Sequence, residues 1–185
     1  LGQENGLDVL TEILKVRPNL QVVMFIAQGS VKTSVEAMRR GATDYLEKPF
    51  QREHFLTVLA RVQRVHQLGQ RIEQLEQGAR RALTEHGVAT DSIATWWVPG
   101  ALEVPQVAKA VVASGRFDAV VALGAVVRGD TYHFEVVSDA SAAGLMRLSL
   151  DSDVVITNGI LTVDDEAQAI ARSGDNDDNK GAQAA

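Results

Sequence analysis

The sequence predicts an α/β fold in which a parallel β-sheet carries helices on both faces. Short apolar runs rich in Val and Ile alternate with segments of helical periodicity. The stretches between successive runs hold a dozen or more residues, the length that a parallel crossover requires. Some of the runs, such as that within "QVVMFIAQ", are continuously apolar, as strands covered on both faces are.

The elements follow in order. "GLDVLTEILKVRPNL" places Leu7, Leu10, Ile13 and Leu14 on one helical face, with Pro18 just beyond it. "QVVMFIAQ" has β-branched residues bounded by polar ones and reads as a buried strand. "SVKTSVEAMRRGA" begins at a candidate cap, Ser30, and stops at Gly41, which predicts a short helix. "TDYLEKPF" is a second brief strand ended by Pro49.

One long helical pattern runs from Gln51 to about His86. Phe55, Val58, Val62, Val65, Leu68, Ile72, Leu75, Ala79 and Leu83 recur at spacings of three and four, and Gly69 and Gly78 are its weak points. Such a stripe suits a helix packed on a core or a short coiled coil. The irregular flanking charges favour the core. Strand "SIATWWVPG", helix "EVPQVAKAVVASG", strand "DAVVALGAVV", helix "VVSDASAAGLMRLSLDS", strand "VVITNGILT" and helix "DEAQAIARSG" follow. The acidic stretch "GDNDDNKG", Gly174 to Gly181, reads as a solvated loop, and no internal repeat is visible.

Bulk properties narrow the function. With 185 residues, the chain has room for one large α/β domain or two small ones. A net charge of −6 argues against nucleic acid as a partner. No apolar run approaches the ~18 residues of a membrane span. The start shows no signal-peptide pattern, which points to the cytoplasm by default. Without cysteine there is no disulfide, thiolate nucleophile or Cys-based metal site. The first residue is Leu and the last stretch is "NKGAQAA", so both ends read as cut.

Ligands of doubly wound sheets collect outside the carboxyl ends of the strands. Three stretches are expected there: "PGALE", "VVRGDTYH" and "NGILT". They are expected to bring an imidazole, a carboxylate and free amides around one pocket. Gly129 lets backbone approach a ligand. Asp130 and Thr131 stand where a helix begins, and unpaired N–H groups there suit an anion. His133 supplies an imidazole, the side chain best suited to proton transfer near neutral pH. The bland alternative, Asp130 as a cap and His133 as a surface residue, stays open. Glu103 is either a cap or an acceptor for a ligand's N–H groups. Arg172 and Lys180 flank the acidic stretch and read as solvated cations or anion ligands. No phosphate-loop, nucleophile-elbow or paired-histidine motif occurs. His54, His66 and His86 lie apart along the long helix, so no metal site is expected.

Residues 79–185 resemble lumazine synthase through "WVPGALEVP", "ALGAVVRGDTYHFE", "NGILTVDDEAQAIARSG" and "NKGAQAA". The resemblance implies condensation of a 5-amino-6-ribitylamino-pyrimidinedione with 3,4-dihydroxy-2-butanone 4-phosphate, with loss of phosphate and closure of a ring. No metal or cofactor is implied. Carried over by position, Ala101, Leu102, Glu103, Ala125, Val126 and Val127 would contact the pyrimidine. Asn158 and Lys180 would line the same pocket. Asp130, Thr131 and Arg172 would hold phosphate, and His133 would transfer protons. The family assembles as pentamers with sites between subunits, which implies a homo-oligomer. Its first strand, bearing an aromatic that stacks on the pyrimidine, has no counterpart here; its place falls near Gln67. Its last helix is cut after Ala185.

Residues 1–77 resemble the back half of a response-regulator receiver, from "ENGLDVL" to "EKPF". Lys48 matches the phosphoryl-contacting lysine and Tyr45 the switch aromatic, while Ile26 replaces a strand-end Thr or Ser. The resemblances divide the chain into a receiver-like segment, 1–77, and a synthase-like domain, 78–185. Both families have a flavodoxin-like fold, so a three-layer αβα sandwich of chimeric origin is expected. "TDYLEKP" and the helix after it are expected to replace the lost first strand and helix. The implied activity is a lumazine-synthase-like transferase, weakened by these losses. The alternatives are a non-catalytic α/β scaffold and a phosphorelay receiver fragment. An aromatic platform beside His133, from Phe50 or Phe55, would favour the first.

Overall fold

Helix α1 (Gly6–Val16) starts where Asn5 accepts a hydrogen bond from the Leu7 N–H, and it buries Leu7 and Leu10. In this computed structural model, which describes residues 5–18, 20–27 and 31–185, the chain divides into units of residues 1–67 and 68–185. Ser30, the expected cap of the next helix, lies outside the described residues.

In the first unit, β1 (Val23–Ala27) and β2 (Asp44–Lys48) pair in parallel, Val23 opposite Asp44 and Ala27 opposite Lys48. Helix α2 (Val31–Arg39) crosses over between them. Period-two alternation builds the layers. Ile26, with Val22 and Met24, packs on Leu7 and Leu10 of α1 and on Ala37 of α2. Phe25 points the other way and stacks on Phe50 at 5.4 Å, which in turn stacks on Phe55 of α3 (Arg52–Glu85) at 5.9 Å. The expectation that β1 is buried on both faces is therefore corrected. Phe25 remains 49% exposed, although Leu46, opposite it in β2, is fully buried.

The second unit is built on β3 (Ala119–Val127) and β4 (Val155–Val163), parallel over nine residue pairs from Ala119–Val155 to Val127–Val163. On one face, Ala122, Val120, Ile156 and Ile160 pack on Ala108 of α4 (Val104–Ala113) and Leu145 of α5 (His133–Leu150). On the other, Leu123, Ala125, Val127, Leu161 and Val163 pack on Leu75 of α3 and Ala169 of α6 (Glu166–Ser173). Each unit is thus helix–sheet–helix, the α/β layering that the sequence predicts.

Three expectations are corrected. The single sheet is instead, among the described residues, two two-stranded sheets, β1–β2 and β3–β4. Among the described residues β2 pairs with β1 and β3 with β4, so "TDYLEKP" does not form the ladder expected of it with the synthase-like strands. The predicted strand in "SIATWWVPG" does not form: residues 90–92 make a 3₁₀ turn and 93–98 carry no regular structure. A strand exists only through a ladder partner, and among the described residues β3 pairs with β4 alone. The segment is held by side chains instead. Thr95 donates to Glu76 at 2.9 Å and accepts from Arg80, while Trp96 meets Phe117 edge-on at 5.2 Å.

The acidic stretch is only partly the solvated loop expected. Asp175, Asp177 and Asp178 are exposed, but Asn179 is buried and caps a seventh helix, α7 (Lys180–Ala184). The Asn179 amide donates to the carbonyls of Ser173 (2.9 Å), Gly174 (2.9 Å) and Gln74 (3.3 Å), and its Oδ1 accepts from the Ala182 N–H at 3.0 Å. A glycine is required on each side of this joint. A Cβ on Gly78 would stand 2.4 Å from Asn179 Oδ1, and one on Gly181 would stand 2.0 Å from the Leu75 carbonyl oxygen.

Candidate functional site

The carboxyl ends of β3 and β4 lie side by side because the two strands run parallel and in register to Val127 and Val163. One further ladder bond, Arg128 N–H to the Val163 carbonyl at 2.9 Å, carries the pairing past the strand ends. There the chain turns through Gly129, Asp130 and Thr131 into α5, whose first residue is His133. The periodicity places this helix start three residues later, at Val136. Glu135 in the first turn and its tie to Arg128 extend the helix back to the imidazole.

Asp130, Thr131 and His133 are exposed around one turn of chain. The first N–H groups of α5 have no partners within the helix itself. Phe134 N reaches the Thr131 carbonyl only at 3.5 Å, and Val136 N bonds the Tyr132 carbonyl at 3.3 Å. Tyr132 occupies the cap position with helical backbone angles and makes no side-chain cap bond. A Cβ on Gly129 would meet nothing within 4 Å, so no internal contact calls for a glycine there.

Sequence reasoning missed the side chain that organises this end of the sheet. The Arg128 guanidinium donates through Nε to Asp164 Oδ1 at 2.6 Å and through Nη1 to Glu135. It also lies over the Phe134 ring, 4.1 Å from its centroid. These partners, Asp164 first and Glu135 second, hold Arg128 above its usual pKa. The Arg128 hydrogen bond, with one from its own backbone N–H, holds the Glu135 carboxyl below the ordinary carboxylate value. A strand-end arginine followed by a glutamate in the first helical turn was the available signal.

The other expected residues are spread out. Ala125 and Val127 point to the α3–α6 face of β3, while Val126 alternates to the other. Ala101, Leu102 and Glu103 precede α4, and Glu103 takes the cap position without a side-chain cap bond. Two residues on, Pro105 meets α5 at Gly144, where a Cβ would lie 2.9 Å from the proline ring. Gly144 is about 16 Å along the helix from His133. "NGILT" is not a strand end: Asn158 sits mid-strand opposite Ala122, its Oδ1 accepting from Ile160 N at 3.0 Å. The run of β-branched residues extends β4 to Val163 and leaves Asn158 exposed within it.

Arg172 lies in the last turn of α6 and donates to the Gln168 carbonyl at 3.1 Å. Lys180 opens α7 and bonds Gln183. In the first unit, Lys48 ends β2 with its Nζ 5.8 Å from the Phe25 ring centre. Tyr45 lines a cavity of about 320 Å³ with Val31, Val35, Met38 and Glu47. A second cavity, about 450 Å³, lies between Arg81, Glu85, Asp175 and Gln183. Neither is lined by His133 or Glu103. Phe50 stacks between Phe25 and Phe55. Among the described residues no group of acidic or histidine side chains is placed to hold a metal, and no helix is long and apolar enough to cross a membrane.

Comparison with known proteins bears on both units. Residues 67–185 match the family described as 6,7-dimethyl-8-ribityllumazine synthase, and residues 1–60 match the response regulator receiver domain. A 6,7-dimethyl-8-ribityllumazine synthase from Gemmatimonas aurantiaca is 51% identical over 111 residues, which cover 60% of this chain and 68% of that protein. The one from Ralstonia pickettii is 50% identical over 55% of this chain and 61% of its own length. The one from Leuconostoc mesenteroides is 45% identical over 62% of this chain and 73% of its own length. Among solved structures, the crystal structure of NtrX from Brucella abortus aligns at a TM-score of 0.39 and 25% identity. The alignment covers 77% of this chain and 28% of that one.

Proposed function

We propose that this chain, which belongs to the 6,7-dimethyl-8-ribityllumazine synthase family, condenses 5-amino-6-ribitylamino-pyrimidinedione with 3,4-dihydroxy-2-butanone 4-phosphate. The observation that carries the reading is the turn from β3 into α5. It joins an exposed imidazole, the Thr131 hydroxyl and a helix start without a side-chain cap within one short stretch. Such a start favours a phosphate through its amides and dipole, and an imidazole beside it suits proton transfer as the phosphate departs. Asp130 and Thr131 hold the phosphate, and His133 moves protons during imine formation and ring closure. Glu103, with Ala101 and Leu102, meets the pyrimidine end, and Val126 lines the approach.

Arg172 lies about 10 Å down α6 from the end of β4. That placement supports its serving, with Asn158 and Lys180, the site of a neighbouring subunit. The active form is therefore a homo-oligomer, a pentamer if assembly follows the family. Light scattering on the purified protein gives the subunit number, and a monomer at micromolar concentration refutes the shared site.

A second reading, a scaffold without turnover, is favoured by the unpaired segment 93–98. The test is direct: incubate the protein with both substrates and follow lumazine fluorescence beside His133→Ala. A wild-type rate well above the variant supports turnover. Equal rates mean background condensation, and the scaffold reading stands.

A further inference from the structure

We propose that Arg128 is a positioning residue for His133, holding the first turn of α5 against the ends of β3 and β4. The proposal rests on the reading of His133 given above and adds what keeps that imidazole in place. The helix start has little else to fix it. Its cap residue makes no side-chain bond, its first turn bond is 3.5 Å long, and residues 128–133 are exposed.

Four attachments converge on Arg128 instead. Its backbone N–H bonds Val163, its Nε bonds Asp164 just past β4, and its Nη1 pairs with Glu135. Its guanidinium also faces the Phe134 ring. Phe134 and Glu135 directly follow His133, so the clamp grips the turn that carries the imidazole. Arginine suits this work because a planar guanidinium can fork to two carboxylates and stack on a ring at once. Lysine offers one point charge on a flexible stem. The Arg128 side chain is 43% exposed and its partners 33% and 64%. Pairs as open as these add little to global stability. The clamp acts on local order.

The test compares wild type, Arg128→Met and Arg128→Lys by amide hydrogen exchange and by steady-state lumazine formation. In Arg128→Met, amides 133–137 should exchange about tenfold faster while the melting temperature barely moves. The kcat should fall about tenfold, with KM for both substrates within a factor of about two. Arg128→Lys should recover part of the loss. Unchanged exchange overturns the proposal, and so does faster exchange with unchanged kcat, or a loss confined to KM. If Arg128→Met does not fold, the lysine variant is read by the same criteria, against wild type alone. If wild type forms no more lumazine than His133→Ala, the catalytic reading fails. Exchange alone then decides whether Arg128 holds the turn: tenfold acceleration supports it and none refutes it.

Discussion

Asn179 and Glu135 show how differently two polar side chains can matter. Asn179 is buried, and its amide satisfies three carbonyls and one N–H. Replacing it with Ala leaves those groups unpaired, a loss of about 2–3 kcal/mol. Asn179→Asp should be no better at neutral pH, since a carboxylate has no protons to offer the carbonyls of Ser173 and Gly174. Chemical denaturation of both variants checks this. Glu135 works at the surface, and its benefit depends on pH. Its carboxyl is held below the ordinary value of 4.5, so its contribution is complete above that pH and is lost as pH falls through the folded value. The melting difference between wild type and Glu135→Gln should therefore be largest near neutrality, shrink below pH 4.5 and weaken in high salt. A difference that grows on acidification would refute the Arg128 pairing. His133→Ala, at an exposed position, should leave stability within about 0.5 kcal/mol of wild type while removing the proposed turnover.

At the scale of elements, α3 carries two glycines with opposite expectations. Both look like weak points in the sequence, since glycine costs about 1 kcal/mol relative to alanine inside a helix. Nothing lies within 4 Å of a Cβ on Gly69, so Gly69→Ala should stabilise by roughly 0.5–1 kcal/mol. A Cβ on Gly78 would strike the Asn179 amide, and Gly78→Ala should destabilise by about 1–3 kcal/mol despite its better propensity. Urea titration of the two variants decides the signs. The helix itself was legible: its stripe predicts residues from Gln51 to about His86, and it runs Arg52–Glu85. The docking of Asn179 was not. An asparagine 101 positions beyond the glycine leaves no local pattern for periodicity to detect.

At the scale of the whole chain, each unit covers a two-stranded parallel sheet with helices, the least that makes so small a sheet viable. The β3–β4 ladder spans nine residue pairs and the β1–β2 ladder five. Amides of β3 and β4 should therefore outlast those of β1 and β2 in hydrogen exchange, and residues 93–98 should exchange first. Lasting protection of residues 93–98 would show a ladder partner beyond those described.

The sequence by itself determined the α/β alternation, the long helix, the strand "AVVALGAVV" and the placing of His133 at the turn after it. It also carried the likeness to two families. Each of these rests on residues close together along the chain, where period, cap and motif act locally. Only the tertiary structure decided which strands pair, that "IATWWV" finds no ladder among the described residues, that Asn158 lies mid-strand and that Arg128 joins Glu135 to Asp164. Those depend on groups distant in sequence meeting in space, and neither hydrophobic period nor cap chemistry records such a meeting.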